Sequence, residues 1–327
     1  MTTWAILGTG SIARKFASDL RLLKDARRLV VASREQAKAE AFAKEFGFER
    51  NYGSYEALLN DAEVEVVYIA SPHSFHKEHS IMCLESGKHV LCEKPFAINA
   101  QEVSEMIAVA RREKRFLMEA LWSYFLPAIT FSDELIKQGE IGNLQMIQAD
   151  FGFRMSKVLP AHRLFDLKLG GGSLLDVGIY PVSLAMHYLG QPLEIKALAH
   201  LGQTGADEQS SIIMRFAKNA LAMMYSAIRT DSHQEAVIYG TKGNIRLKSP
   251  WWATKELTLN NAKGEKHYKL DFEGFGYHFE ASHVMQCLQK GLLESPKVGL
   301  DHSQRLAATL DAIRQQIGLS YPQDGVA

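Results

Sequence analysis

Three side chains that could move protons or stabilise negative charge stand out in this sequence: Lys94, Asp176 and Tyr180. Lys94 follows the apolar run 89–92 and precedes Pro95, which ends a strand because it has no N–H to donate. An ammonium group there can donate a hydrogen bond to a substrate hydroxyl and stabilise negative charge on its oxygen. The plain alternative is a surface lysine at a strand end, so the place of this strand in the fold decides between the two interpretations.

Asp176 and Tyr180 are four residues apart and therefore share one face of a predicted helix. They follow the glycines 170–172 and Ser173, a favourable N-cap residue, and Pro181 predicts a kink or a new first turn. A neighbouring ammonium favours the ionised form of a phenol, which can then act as a general acid or base. If the fold brings Lys94 to this face, Tyr180 is the candidate for transferring the proton, and Asp176 is the candidate for orienting it or holding a second hydroxyl. A packed tyrosine and a surface aspartate are the alternative.

The elements that must position these residues alternate between strand and helix over the first third of the chain. Apolar strand patterns and helical patterns follow one another from residue 5 to residue 120, with short connections. This alternation predicts a doubly wound parallel sheet with right-handed crossovers. Ligands of such sheets bind at the carboxyl ends of the strands, so Lys94 should face the ligand side.

A glycine-rich segment lies between the first predicted strand and the first predicted helix. It matches the pattern G-x-G-x-x-A and reads Gly8-Thr9-Gly10-Ser11-Ile12-Ala13. The first glycine permits a tight turn, the second lets a pyrophosphate approach the backbone, and the helix N-terminus offers N–H groups to the anion. We expect Gly8, Thr9, Gly10, Ser11 and Ile12 to bind a dinucleotide.

The end of the second predicted strand indicates which dinucleotide this is. NAD sites usually place Asp or Glu there for the ribose 2′-OH, whereas this chain has Ser33 and Arg34. A hydroxyl followed by a guanidinium suits a 2′-phosphate, and Lys38 lies one helical turn further on. We therefore expect NADP(H), with NAD as the alternative if Arg34 is only a solvated residue at a helix start.

The pattern changes after residue 121. A helical connector and a strand at 144–153 precede the glycines, and two amphipathic helices at 275–290 and 302–317 close the chain. Between them lie seven short alternating stretches: 194–201, 210–216, 221–228, 235–239, 244–247, 257–259 and 267–270. They predict an open, mainly antiparallel sheet, and hence a Rossmann domain (1–121) followed by a substrate-binding and oligomerisation α/β domain (122–327). The apolar face of 221–228 is too large to leave in water, which predicts a homodimer packed through this sheet.

Composition narrows the classes of partner. The chain has 327 residues, and 37 basic residues balance 37 acidic ones, so no net basic field favours nucleic acid or an anionic membrane. A small molecule is the expected partner. No signal-peptide pattern and no apolar run of about 18 residues is seen, which favours a cytoplasmic protein. Cys83, Cys92 and Cys287 are odd in number and lie in apolar surroundings, so we expect buried thiols rather than a metal site or disulfides.

Taken together, these motifs resemble the glucose-fructose oxidoreductase/inositol dehydrogenase (Gfo/Idh/MocA) family. The resemblance covers nearly the whole chain and rests on the glycine segment 8–13, Ala-Ser-Pro-His at 70–73 with His76, Glu-Lys-Pro at 93–95, and the glycines leading to Asp176 and Tyr180. His at 73, Tyr at 180 and "FLMEALWSYFLP" are most similar to the branch of dimeric dihydrodiol dehydrogenases and NADP-dependent D-xylose dehydrogenases.

The resemblance implies an NADP-dependent enzyme that moves a hydride between nicotinamide and a cyclic polyol, such as xylose, glucose or a trans-dihydrodiol. It also implies a cis bond before Pro95 and further cofactor contacts from Ser71, Pro72, His73, His76, Glu93 and Lys94. Two alternatives stay open on the same fold: a non-catalytic dinucleotide sensor, and a sugar–sugar oxidoreductase with tightly bound cofactor.

Substrate contacts are harder to place from sequence. Five aromatic residues are candidates for an apolar platform under a sugar or diol, although each is more often a core residue: Trp122, Phe151, Trp251, Trp252 and Phe279. Arg154 and His162 are candidate contacts to substrate hydroxyls, and a salt bridge in a loop explains either equally well.

Overall fold

The computed structural model describes residues 1–325 and divides the chain into two compact units. The first unit contains Met1–Trp122 and Glu273–Gln304, and the second contains Ser123–Phe272 and the chain from Arg305 onward. The predicted division placed everything after residue 121 in one domain, whereas Glu273–Gln304 packs with the first unit.

The helices of the described chain are α1 (Ser11–Leu20), α2 (Gln36–Phe46), α3 (Tyr55–Leu59), α4 (His76–Glu85), α5 (Ala100–Glu113), α6 (Pro127–Lys137), α7 (Ile179–Leu189), α8 (Tyr277–Gln289) and α9 (Leu300–Ile317). The strands are β1 (Thr2–Leu7), β2 (Ala26–Ala32), β3 (Arg50–Tyr52), β4 (Val66–Ile69), β5 (His89–Glu93), β6 (Leu117–Ala120), β7 (Leu144–Gly152), β8 (Glu194–Leu201), β9 (Asp207–Arg215), β10 (Leu221–Ala227), β11 (Ala236–Gly240), β12 (Gly243–Leu247), β13 (Glu256–Asn261) and β14 (Gly264–Lys269).

The first unit is built on a six-stranded parallel sheet of order β3-β2-β1-β4-β5-β6. This order reverses between β1 and β4, as in a dinucleotide-binding sheet, and it confirms the predicted doubly wound fold. The central strands β1, β4 and β5 are apolar and almost fully buried, because helices cover both faces of such a sheet. The short strand β3 was not predicted, since its sequence Arg-Asn-Tyr carries no apolar pattern.

The second unit contains an eight-stranded sheet of order β14-β13-β12-β11-β7-β10-β9-β8. Only β7 and β10 pair in parallel among these strands, and the other neighbours are antiparallel, so the predicted open and mainly antiparallel sheet is confirmed. One face of the sheet is buried. On the other face, apolar side chains of β8, β9 and β10 remain exposed: Leu198, Ile213, Leu221, Met223 and Tyr225.

The triple-glycine segment leads into a π-helical turn, Leu174–Gly178, which continues directly into α7. Pro181 lies in the first turn of α7, one of the two arrangements predicted for it. The stretch Leu167–Leu189 is long and apolar enough to cross a membrane by length and composition alone, but 94% of its most apolar window is buried inside the protein. It is therefore a buried core segment of the second unit, made of the glycine segment, the π-helical turn and α7.

Candidate functional site

The turn between β1 and α1 is shaped to receive an anion. Gly8 has a φ of +104°, and a Cβ atom there would lie 3.0 Å from the carbonyl oxygen of Ala70 on the neighbouring strand end. A Cβ at Gly10 would meet nothing within 4 Å, and no side chain caps the N-terminus of α1. The glycine cradle, with Thr9 half-buried beside it, thus fits a dinucleotide pyrophosphate.

The end of β2 carries the residues expected to distinguish NADP from NAD. Ser33 is buried, and its hydroxyl accepts a hydrogen bond of 3.4 Å from the N–H of Glu35. Arg34 is exposed and makes no ion pair within the described chain, and its charge contributes to lowering the pKa of His79, after the larger effect of burial. The Lys38 ammonium pairs with Glu35 at 2.5 Å on the surface, and its predicted contact with a cofactor stays a prediction.

The loops after β4 and β5 are joined by His76. Its Nδ1 lies 2.7 Å from the carbonyl oxygen of Pro95 and its Nε2 lies 2.9 Å from that of Ser71. Burial lowers the pKa of this ring to about 4, although both carbonyls favour its protonated form. We predicted that His76 contacts the cofactor, but its ring is fully buried and instead bridges the two loops. The Lys94–Pro95 bond is cis, and Ser71 Oγ also contacts His79 Nδ1 at 3.0 Å.

Pro72 and His73 follow Ser71 and are half-buried, so both can still face a cofactor. The rings of His73 and His76 lie 5.7 Å apart, edge to face. The structure thus groups Ser71, Pro72 and His73 at the end of β4, beside the Ala70 carbonyl that bounds the glycine cradle.

Two buried carboxyl groups surround the backbone at Lys94. Glu93 is 5% exposed; it accepts hydrogen bonds from the Tyr68 hydroxyl and, at 3.2 Å, from the N–H of Lys94. Glu119, at the end of β6, accepts a 3.0 Å bond from the N–H of Phe96. Burial raises the pKa of Glu119 to about 7, and the charge of Lys94 acts in the opposite direction. Glu93 therefore helps to position the turn, and its predicted contact with a cofactor stays a prediction.

In the second unit, Tyr180 lies against an aromatic stack. The rings of Phe151 and Trp252 are stacked with centroids 3.3 Å apart, and the Tyr180 ring lies 5.5 Å from Phe151 and 6.2 Å from Trp252. Trp251, in contrast, is 1% exposed and donates its indole N–H to the carbonyl of Asp150 at 2.8 Å, so it is a core residue. Phe151 and Trp252 thus form one stacked pair beside Tyr180, and their predicted role as a substrate platform stays a prediction.

Asp176 meets an arginine that the sequence analysis did not single out. Arg163 Nη1 donates to Asp176 Oδ1 at 2.7 Å, and Nη2 lies 3.4 Å from Oδ2. The Asp176 side chain is 10% exposed and that of Arg163 is 50% exposed. The pKa of Arg163 is raised by Asp176 and, to a smaller extent, by Tyr180, while burial acts the other way. Tyr180 thus has an aromatic wall on one side and an ion pair close by.

The helix start that carries Asp176 is held by Asp207 rather than by the predicted Ser173 cap. Asp207 Oδ2 accepts hydrogen bonds from Ser173 Oγ at 2.7 Å and from the N–H of Leu174 at 2.8 Å. Ser173 Oγ also contacts Ser226 Oγ at 3.0 Å. A Cβ at Gly172 would collide with the Asp207 carboxylate, which explains a glycine at this position. Burial raises the pKa of Asp207 to about 7.

The remaining predicted residues have surroundings of their own. Arg154 is exposed on the extension of β7, where its N–H bonds to Asp231 at 2.9 Å, and no contact with Asp176 is found for it in the described chain. Trp122 is buried in the first unit and stacks on Tyr277 with centroids 4.5 Å apart. The three cysteines are free and buried, as predicted. Across residues 1–325, no group of three or more His, Cys, Asp or Glu side chains could hold a metal ion.

Comparison with known proteins agrees with this arrangement. Residues 2–121 match the model of an oxidoreductase family with an NAD-binding Rossmann fold, and residues 132–246 match the GFO/IDH/MocA C-terminal domain. The mouse (Mus musculus) trans-1,2-dihydrobenzene-1,2-diol dehydrogenase is 39% identical over 333 residues, covering 98% of each chain.

Two solved structures share the whole fold. Levoglucosan dehydrogenase, in complex with NADH and levoglucosan, has a TM-score of 0.88 at 20% identity, covering 97% of each chain. A 3-ketoreductase from Actinomadura kijaniata, in complex with NADP, has a TM-score of 0.86 at 23% identity, covering 97% of this chain and 98% of that one. At these identities the likeness establishes the fold alone.

Proposed function

Because the chain belongs to the Gfo/Idh/MocA oxidoreductase family, we propose that it is an NADP-dependent dehydrogenase of cyclic polyols, with a trans-dihydrodiol or a pyranose sugar as substrate. The observation that carries this proposal is the position of Tyr180, with the Phe151–Trp252 stack on one side and the Arg163–Asp176 pair nearby. A ring substrate has apolar C–H faces, which suit the aromatic stack, and polar hydroxyl edges, which suit the ion pair. The mouse relative is named for a trans-diol of a carbocyclic ring.

Side chains of this protein carry out the proton transfer in the proposed reaction. We propose that Tyr180 accepts the proton of the substrate hydroxyl during oxidation and returns it during reduction. Lys94 donates a hydrogen bond to the same oxygen and stabilises its negative charge. Asp176, fixed by Arg163, accepts a hydrogen bond from a second hydroxyl. The bound nicotinamide supplies the hydride acceptor, so the carbinol carbon loses a hydride and its oxygen loses a proton.

Arg34 supports NADP as the cofactor. Its guanidinium is exposed at the end of β2, where an NAD site would carry an acid, and it has no carboxylate partner in the part of the chain described. A free guanidinium can form two charged hydrogen bonds to a 2′-phosphate. Lys38 contributes less, since Glu35 already neutralises it.

A screen of trans-diols and aldopyranoses with NADP⁺ and NAD⁺, followed by absorbance at 340 nm, tests the activity. The cofactor assignment is tested by Arg34→Ala, which should weaken NADPH about tenfold or more and NADH little, because a charged hydrogen bond contributes roughly 1.5 to 3 kcal/mol. Arg112→Ala is the matched control, since Arg112 is an exposed arginine paired with Glu85 in the same unit. Equal losses for NADPH and NADH would contradict the assignment.

We also propose a homodimer packed through the open sheet of the second unit. Leu198, Ile213 and Met223 lie on its free face and are 81%, 51% and 42% exposed, which is unusual for large apolar side chains on adjacent strands. The sheet is antiparallel at β8–β9–β10, so a second copy can cover this face by two-fold symmetry. Leu198→Glu with Met223→Glu should give a monomer by light scattering, whereas the control Leu159→Glu, in a loop, should not.

A further inference from the structure

The Arg163–Asp176 ion pair of the second unit has a well-defined, two-point geometry. The two N–H···O contacts, 2.7 and 3.4 Å long, run from the two terminal nitrogens of one guanidinium to the two oxygens of one carboxylate. This fork arrangement fixes the plane of the carboxylate as well as its position. A carboxylate as buried as Asp176 would be costly without a partner, so the arginine has an energetic reason to be there.

The packing around both partners holds the pair in place. Leu164 and Phe165 follow Arg163, Val177 follows Asp176, and all three are buried in one cluster with Ile228. The backbone carbonyl of Arg163 also approaches Gly171, where an added Cβ would lie 3.0 Å from it. The loop of Arg163 and the π-helical turn of Asp176 therefore pack into the same core cluster, and this packing restricts the movement of the ion pair.

Arg163 interacts electrostatically with Tyr180. Phe151 and Trp252, whose rings also lie against the Tyr180 ring, do not titrate. Lys94 is the other positive charge that the proposed function brings to the reacting oxygen. Asp176 alone would oppose a negative charge on the phenol, because like charges disfavour each other at short range. Arg163 acts in the opposite direction, because a nearby positive charge favours the phenolate.

We infer that Arg163 is a positioning residue for the proposed reaction: it fixes Asp176 and sustains the phenolate form of Tyr180 during proton transfer. The inference rests on the proposed function. The proton leaves the substrate oxygen and binds the Tyr180 oxygen, so the phenolate must exist before each oxidation. Removal of the guanidinium takes away one positive charge near that phenolate together with the fork that fixes Asp176, whereas the charge of Lys94 remains. The consequence is a less available base at neutral pH rather than a weaker cofactor site.

Arg163→Gln, Arg163→Lys and the control Arg27→Gln are compared with the parent protein. Arg27 is a matched control because it also pairs with carboxylates, at 2.7 and 2.9 Å, on the surface of the other unit. Tyrosinate absorbance at 295 nm, taken as the difference from a Tyr180→Phe background, follows the Tyr180 titration without any substrate. In Arg163→Gln its midpoint should rise by about one pH unit or more. The acidic limb of the kcat profile for oxidation, where activity is lost as the base takes up a proton, should move with it, and kcat near pH 7 should fall at least about tenfold.

Arg163→Lys keeps the charge and loses the fork, so it should recover part of both effects, and it serves as the test if the Gln variant does not fold. The KM for NADPH should stay within about twofold, and Arg27→Gln should change nothing. An unmoved tyrosinate midpoint and an unmoved kcat profile in folded Arg163 variants would overturn the inference, whatever their melting temperatures. The two proposals can fail separately. If the tyrosinate midpoint shifts but the parent protein turns over no substrate of the panel, the proposed function is wrong and the electrostatic effect of Arg163 on Tyr180 is still supported.

Discussion

The carboxylate of Asp19 accepts a hydrogen bond of 2.7 Å from the backbone N–H of Tyr277, a residue 258 positions away in the chain. It accepts a second bond of 2.9 Å from the N–H of Phe275. No side chain of its own caps the N-terminus of α8, so Asp19 satisfies N–H groups that the helix leaves unpaired and complements the positive end of its dipole. This contact ties the returning segment Glu273–Gln304 to α1 of the first unit.

Asp19→Ala should therefore destabilise the first unit. Two backbone N–H groups would lose their acceptor in a buried place, which costs about 2 to 4 kcal/mol in free energy of unfolding. Asp19→Asn keeps one acceptor oxygen and should lose less. Urea titrations followed by circular dichroism measure the difference, with Asp25→Ala as the control, because Asp25 is exposed. A loss in Asp19→Ala no larger than in the control would contradict this role.

The fold was largely predictable because its elements carry local patterns. All seven short stretches predicted after residue 190 are strands, shifted by no more than a few residues, since alternation and turn residues mark them. The return of Glu273–Gln304 to the first unit was not predictable. It depends on the hydrogen bonds between Asp19 of α1 and the N-terminus of α8, which is 258 residues further along the chain. A local sequence pattern does not predict such a long-range contact.

The stability of the protein should depend on pH through His76. Its pKa in the folded state, about 4, lies below the ordinary value of 6.5, so its contribution is complete above pH 6.5 and is lost as the pH falls toward 4. A difference of this size corresponds to roughly 3 kcal/mol. His76→Gln should be less stable at neutral pH, because the loop bridge is lost, but its stability should decline less on acidification.

Urea titrations at several pH values between 4 and 7.5 measure this effect. His267→Gln is the control, because His267 lies exposed on β14 and pairs only with Glu265 and Thr258 in the described chain. Its acid sensitivity should equal that of the parent protein. Equal slopes for His76→Gln and the parent would show that His76 does not titrate in this range.

Asp207 should give the opposite dependence on pH. Its pKa in the folded state, about 7, lies above the ordinary 3.8, so its contribution is present below about pH 4 and is lost as the pH rises through 7. Asp207→Asn cannot ionise and keeps an acceptor for Ser173 and Leu174. Its free energy of unfolding relative to the parent should therefore rise by about 2 kcal/mol between pH 5 and pH 8. Asp301→Asn, at an exposed surface position, should show no such trend.

The residues that support the site were harder to predict than the residues proposed to react. Asp207 begins β9 but is out of phase with the inward positions Ser210, Ile212 and Met214, so alternation in the sequence does not mark it as buried. Its role in holding the π-helical turn in place of a Ser173 cap depends on how β9 crosses that turn. Arg163 lies in a loop with no periodicity, and only the fold shows that it meets Asp176.

The final prediction concerns Lys94 and Tyr180, the pair proposed to handle the reacting oxygen. Lys94→Met removes a donor and a positive charge but leaves the Gly8 cradle and the Arg34 guanidinium in place. Turnover should fall by about 100- to 10,000-fold, the usual contribution of an acid–base group, while the affinity for NADPH changes only a few-fold. Tyr180→Phe should lose a similar factor. Measurements of kcat and of NADPH binding by fluorescence separate the two effects.

The double variant decides whether the two residues act as one unit. Residues that serve the same step are not additive, so Lys94→Met with Tyr180→Phe should be far less impaired than the product of the single losses. Lys44→Met is the control for removing a lysine, because Lys44 is exposed in the last turn of α2. If Lys94 were only a surface residue at a strand end, Lys94→Met would resemble Lys44→Met in kcat, and the mechanism would fail. Fully multiplicative losses in the double variant would instead mean that each residue acts on a separate step.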